Sequence, residues 1–215
     1  SAGSCFAIEI ARALQEQEFN YVITERPDDI KQGVIVDGYK PGSPYAHGSF
    51  NSGIQFNTIN FRHLVEKAFS TRDFEPLLIK QQDAAGNTYY CDPYREDIFF
   101  TSVEAYQRDV PKHRAAIRQA LETCEVFILT PGLNECWEFN DGTVMARNPR
   151  GATYPYAKPK TLTVQENIDN LQLFFDMVRQ HNPNFKLILS LSPVPFLATG
   201  RANTHHVIEA NCHSK

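Results

Sequence analysis

A serine stands at the mouth of a helix near the start of this chain, where Gly3-Ser4-Cys5-Phe6-Ala7 runs straight into an amphipathic stretch. A serine hydroxyl attacks a carbonyl only where a neighbouring base takes its proton and fixed donors hold the oxyanion that forms. Gly3 permits a sharp turn, and the first N–H groups of a helix lie at the positive end of its dipole without partners inside it. Ser is equally a favoured N-cap, so two roles are open for Ser4 on the pentapeptide alone, cap and nucleophile. A Cys5 nucleophile is a weaker alternative, because cysteine is more often simply a small buried hydrophobe.

Two later loops carry polar residues to the ends of apolar runs. Thr130-Pro131-Gly132-Leu133-Asn134-Glu135-Cys136-Trp137 follows Val126-Phe127-Ile128-Leu129, and Ser190-Leu191-Ser192-Pro193-Val194-Pro195 follows Leu187-Ile188-Leu189. Gly132 allows close backbone approach, and Asn134 offers either an amide donor for an oxyanion or a local Asx-turn. Glu135 is placed to orient a base or to stay a solvated carboxylate. Trp137 suits a substrate platform or the edge of a core. Pro193 and Pro195 stiffen their loop.

The elements that must position these loops alternate between helical and strand periods. Helical spacing runs from Phe6 through Ile10, Ala13 and Leu14, followed by a short strand at Tyr21-Val22-Ile23. Between Gly33 and Asn60 glycines recur without sustained apolar repeats, the mark of a long functional loop. Ile59 to Phe69 is helical, Asp83 to Gly86 turns, and Thr88 to Cys91 is a strand. Pro111 to Cys124 sets Ile117, Ala120, Leu121 and Cys124 on one helical face. Thr163 and Glu166 form a capping-box pattern ahead of a helix that ends near Asn182-Pro183. Val126–Leu129 and Leu187–Leu189 then read as buried strands of a parallel βαβ sheet, whose ligands bind beyond the strands' carboxyl ends.

Composition sets limits on partners. At 215 residues, 42% hydrophobic and 12% aromatic, the chain buries a sizeable core and suits one α/β domain. A net charge of −4 and no basic run argue against nucleic acid or an anionic membrane surface. No apolar run spans a bilayer and no signal peptide is visible. The five cysteines, Cys5, Cys91, Cys124, Cys136 and Cys212, show neither C-x-x-C pairs nor a zinc-like spacing. They suggest a reducing compartment, hence a cytoplasmic location, and no metal site.

Taken in order, Gly3-Ser4-Cys5-Phe6-Ala7, Leu129 to Trp137, Leu162-Thr163-Val164-Gln165-Glu166-Asn167, Asn182-Pro183, Ser192-Pro193-Val194-Pro195 and Ala210 to Lys215 look like the successive motifs of the GSCFA domain family. The resemblance covers nearly the whole chain. It implies a mostly bacterial family within the SGNH, or GDSL-like, hydrolases, and a three-layer α/β/α fold of flavodoxin-like type with a mainly parallel sheet. It makes 1–215 a single domain. By that resemblance Ser4 is the nucleophile, with its own N–H as one oxyanion donor. Gly53, in Ser52-Gly53-Ile54-Gln55-Phe56-Asn57, matches the second block, with Asn57 and Asn60 as alternatives there, and Gly132-Leu133-Asn134 matches the Gly-x-Asn block.

Two features depart from that pattern. Only Ser1-Ala2 precede the serine where a strand is expected, and no Asp-x-x-His follows Ser192, so the sequence reads as a fragment cut at both ends. His205, His206 and His213 are the late histidines, placed either as a base or as ordinary loop or capping residues. Residues 138–160, polar and proline-bearing with Tyr154 and Tyr156, read as a lid or insertion. The implied function is an SGNH-like serine esterase, acyl hydrolase or O-acyltransferase, without cofactor, acting on O-acyl groups of a small polar molecule or glycan. The competing function is a catalytically silent carbohydrate-binding or scaffold domain.

Overall fold

A run of apolar residues without polar alternation needs cover on both sides, and Val126–Thr130 (β6) is the middle strand of a three-stranded parallel sheet. The computed structural model describes residues 1–26, 33–36, 45–46, 48–74, 77–95, 97–146, 149, 156–195, 198–199, 207, 210 and 212. Ala2–Gly3 (β1) pairs with β6 in the register Ala2↔Leu129 and Gly3↔Thr130. Lys186–Leu189 (β9) pairs on the other side, from Val126↔Lys186 to Leu129↔Leu189. Cys5–Glu16 (α1) leaves β1 at once and contacts both β1 and β6.

Three helices build the main core on this sheet. Thr58–Ala68 (α2), Val103–Thr123 (α3) and Val164–His181 (α4) bring Phe61, Val65, Ile117, Leu121, Phe174 and Val178 against Phe127 and Leu129. At roughly 1.5–3 kcal/mol for each large apolar side chain removed from water, this cluster holds the helices to the strand. The Thr163–Glu166 capping box forms as expected, and Asn182 closes the far end of α4. The Asn182 amide also donates to the Leu121 and Cys124 carbonyls at 3.0 and 2.7 Å, satisfying the exit of α3.

A separate four-stranded antiparallel sheet has the order β2-β5-β4-β3, from Val34–Val36 (β2), Ile79–Gln82 (β3), Thr88–Cys91 (β4) and Ile98–Phe100 (β5). Glu135–Glu138 (β7) and Lys158–Thr161 (β8) form an antiparallel pair. The molecule is thus a mixed α/β structure in which the parallel sheet holds three of the nine strands among the described residues, fewer than a mainly parallel sheet would.

Several local expectations change. Tyr21–Ile23 is not a strand, and the residue after it bonds to a loop and a helix: Thr24 N–H donates to Ser49 O at 2.8 Å and Thr24 Oγ1 to Ala116 O of α3 at 2.8 Å. The segment from Gly33 to Asn60 contains β2 as well as loop. The helix expected from Pro111 begins at Val103, capped by Ser102, whose hydroxyl accepts from Ala105 N–H at 3.1 Å. The end of the 130–137 stretch is strand, not loop. β9 is an edge with Ile188 and Leu189 about half exposed, 50% and 53%, where a buried strand was expected. Within 138–160, Phe139, Val144, Met145 and Ala146 are buried and Tyr156 is exposed, whereas Tyr154 lies outside the described residues.

Candidate functional site

Gly3 decides how Ser4 is presented. A Cβ at Gly3 would sit 2.5 Å from Thr130 O and 2.8 Å from Thr130 Cβ, so only glycine lets β1 lie this close to β6 before turning into α1. Ser4 holds the N-cap position of α1 with extended backbone, φ −66 and ψ 178, yet its side chain makes no capping bond. Its Oγ is buried and has no hydrogen-bond partner among the described residues, in a residue only 2% exposed. Native structures rarely leave a buried hydroxyl orphaned, and such orphans concentrate at functional positions. Capping is therefore not what holds Ser4 in place.

Three chain segments converge on this hydroxyl. A Cβ built at Gly132 would lie 3.5 Å from Ser4 Cβ, 3.2 Å from Ser192 Cβ and 3.6 Å from Ser192 Oγ. Ser192 is 2% exposed, and its N–H donates to Pro131 O at 3.0 Å. Thr130 and Ser190, the last residues before the two loops turn, join their hydroxyls at 2.7 Å. The carboxyl ends of β6 and β9 thus meet the start of α1, where the strand rule places a ligand. Ser192 was not singled out on sequence grounds, since a serine in a proline-flanked loop carries no chemical signature of its own.

The backbone donors expected near an oxyanion are largely committed. Ser4 N–H donates to Thr130 O at 3.1 Å, and the N–H groups of Gly132 and Leu133 both donate to Phe56 O at 2.8 and 3.0 Å. The first turn of α1, at Cys5 and Phe6, supplies the positive helix terminus beside Ser4. Cys5 itself is exposed, and all five cysteines are free.

The remaining expected residues divide by place. Asn134 sits half-buried at the bend that opens β7, and its carbonyl accepts from Leu162 N–H at 2.7 Å. Gly53 is exposed, holds φ 69, and lines a cavity with Gly3. Asn57 caps α2 by accepting from Asn60 N–H at 3.1 Å, and Asn60 donates to Met145 O at 3.1 Å while its Oδ1 has no partner. Trp137 packs against the Phe74, Tyr94, Phe139 and Met145 cluster. His205, His206 and His213 lie outside the described residues.

The described histidines lie elsewhere. His181 stacks on Phe69 at 3.9 Å between ring centroids. His63 spends both nitrogens structurally: Nδ1 donates to Glu66 Oε2 at 3.0 Å and Nε2 accepts from Val144 N–H at 3.1 Å. His113 joins Glu25 Oε2 through Nδ1 at 2.7 Å and Ser52 Oγ through Nε2 at 3.2 Å. Burial, reinforced by the Arg95 charge and opposed by Glu25, lowers the His113 imidazole below its usual 6.5. Burial works to raise the Glu25 carboxyl, but the His113 hydrogen bond and charge, Arg95 and the Asn51 N–H outweigh it and hold it at about 2. At neutral pH the pair is a carboxylate beside a neutral imidazole. This array was invisible in the sequence, since Glu25 and Ser52 stand 88 and 61 positions from His113.

Among the described residues no three His, Cys, Asp or Glu side chains gather as a metal-binding group, and no helix is long and apolar enough to cross a membrane. Compared with protein families, residues 1–215 match the model of the GSCFA family. No curated protein and no solved structure matches the chain.

Proposed function

This chain belongs to the GSCFA family, and from that premise we propose that it is an SGNH-like serine ester hydrolase or O-acyltransferase acting on O-acyl groups of a polar substrate such as a glycan. The observation that carries the proposal is the orphaned Ser4 hydroxyl, buried at the mouth of α1 where the loops after β6 and β9 converge. Ser4 Oγ attacks the ester carbonyl, and a histidine from the C-terminal part of the domain takes its proton, either His205, His206 or His213 or one further along a longer chain. The α1 terminus and the Asn134 amide stabilise the oxyanion, with Gly53 as the further donor. The domain is a three-layer α/β/α unit, with 138–160 as a lid or insertion.

A second function draws on one observation. No described imidazole reaches Ser4 Oγ, as would hold in a binding or scaffold domain that keeps the pocket without its base. A fluorophosphonate probe separates the two. Labelling mapped to Ser4 and abolished by Ser4→Ala in a protein that remains folded supports the hydrolase, since the Ser4 side chain makes no capping bond to lose. Absence of Ser4 labelling in the folded, full-length protein favours the silent domain.

A further inference from the structure

The Ser52 hydroxyl faces a neutral imidazole that a carboxylate holds from behind, an order of groups that His63 lacks. His63 accepts from a backbone N–H, so its second nitrogen is spent on structure. His113 Nε2 instead meets a side-chain hydroxyl at 3.2 Å, and its Nδ1 meets Glu25 at 2.7 Å. Glu25 is fixed in turn by Asn51 N–H at 2.8 Å, and Arg95, paired with Asp109, donates twice to Asn51 O. Every group behind the hydroxyl is therefore oriented by another, the arrangement that activates a serine.

The neighbouring residue adds a donor without an occupation. Asn51 is 8% exposed and its Nδ2 has no hydrogen-bond partner among the described residues. Asn51 and Ser52 line a cavity of about 60 Å³ with Gly3, Ile8, Gly53 and Ile98. Holding one water needs only roughly 10–15 Å³, so the space takes a group several times larger. Gly53 is exposed and connects the cavity to solvent. An array that merely tied α3 to the 51–55 turn would need the hydrogen bonds but neither the cavity nor an unsatisfied amide beside it.

We propose that Ser52, His113 and Glu25 form a second nucleophile, base and orienting acid, with Asn51 Nδ2 as oxyanion donor, acting on esters of small acyl groups of acetyl size. Ser52 Oγ bonds to the acyl carbon as its proton passes to His113 Nε2. The ester C–O bond breaks and the leaving alcohol takes that proton. Water then attacks the acyl-Ser52 carbon, gives a proton to His113, and releases the carboxylic acid as Ser52 regains its hydrogen. Nothing in this chemistry depends on Ser4.

The test treats the whole protein with p-nitrophenyl acetate and, separately, with methanesulfonyl fluoride, and maps the modified residue by mass spectrometry. The expected result is acetyl or sulfonyl on Ser52, removed by Ser52→Ala and slowed at least 100-fold by His113→Gln. Should His113→Gln fail to fold, Ser52→Cys decides. The thiol it introduces, deprotonated by His113, should react with iodoacetamide at pH 6 at least tenfold faster than the exposed Cys5. Ser52 unmodified by both reagents in the folded protein, labelling in His113→Gln at the parental rate, or a thiol in Ser52→Cys no faster than that of Cys5 would each overturn the proposal. Modification of Ser4, present or absent, is read separately and bears only on the Ser4 hydrolase.

Discussion

Gly132→Ala puts a methyl group into the junction of Ser4 and Ser192, and the structure gives the size of the disturbance. The new Cβ would stand 3.2 Å from Ser192 Cβ, a few tenths of an ångström too close, but at ordinary contact, 3.5 Å, from Ser4 Cβ. Gly132 does not hold a positive φ and its N–H bond to Phe56 O survives the change. Removing a glycine from the unfolded chain stabilises by about 0.4–1 kcal/mol, whereas overfilling a packed site costs about 1–3. The two effects oppose each other, so the net loss should be about 0–2 kcal/mol by urea unfolding. Reactivity should fall as well, by less than the roughly 10²-fold that a displacement of about 1 Å at a reacting centre costs, because the new methyl group occupies space in contact with Ser4 Cβ. The assay is the rate of fluorophosphonate labelling at Ser4 in parent and variant. A folded Gly132→Ala protein labelled at the parental rate would show that Gly132 does not border the approach to the hydroxyl, and would refute the reasoning.

Gly3→Ala should be far more damaging, about 3 kcal/mol or more, because its Cβ meets backbone atoms of β6 that have no rotamer to escape into. Gly86→Ala, with φ +85 and open space around it, should cost only about 1–2 kcal/mol by the same unfolding measurement; equal losses would contradict the close β1–β6 approach. Asn134→Ala should lower kcat by roughly 10²–10³ with little change in KM on an ester substrate, and a raised KM at constant kcat would make the residue a ground-state binder. Buried His63 and His113 lie below 6.5 in the fold, so below that pH the unfolded chain binds more protons and stability falls, by at most about 1.4 kcal/mol per pH unit for each imidazole. A urea midpoint that stays constant or rises from about pH 7.5 to about pH 5 would refute this.

Local signals survived where one segment carries its own pattern. The Thr163–Glu166 box, the apolar run of β6 and the helical period of α2 each depend on residues within a few positions of one another. β7 and β8 do not: Trp137 pairs with Pro159, and Lys158-Pro159-Lys160 has no strand-like composition, so a distant partner overrides local propensity. Ser4 shows the same divide. Its place before a helix is local and legible, but the choice between cap and orphaned hydroxyl depends on Thr130, Gly132 and Ser192, which fold in from far along the chain.

Pro111 lies inside α3, where it lacks the N–H that would close the turn onto Gln107. Before it, Ala105 packs with Ile98 and Phe100 of the antiparallel sheet, and Tyr106 meets Phe100 edge-on at 5.2 Å. After it, Ala116, Ile117, Ala120 and Leu121 enter the core of the parallel sheet. One helix therefore belongs to two cores, and neither can melt without releasing half of it. Loss of the antiparallel sheet exposes the N-terminal half of α3, and loss of the parallel core frees the rest, so the two sheets are coupled as one cooperative unit. Slow amide exchange should consequently disappear from β5 and β6 together.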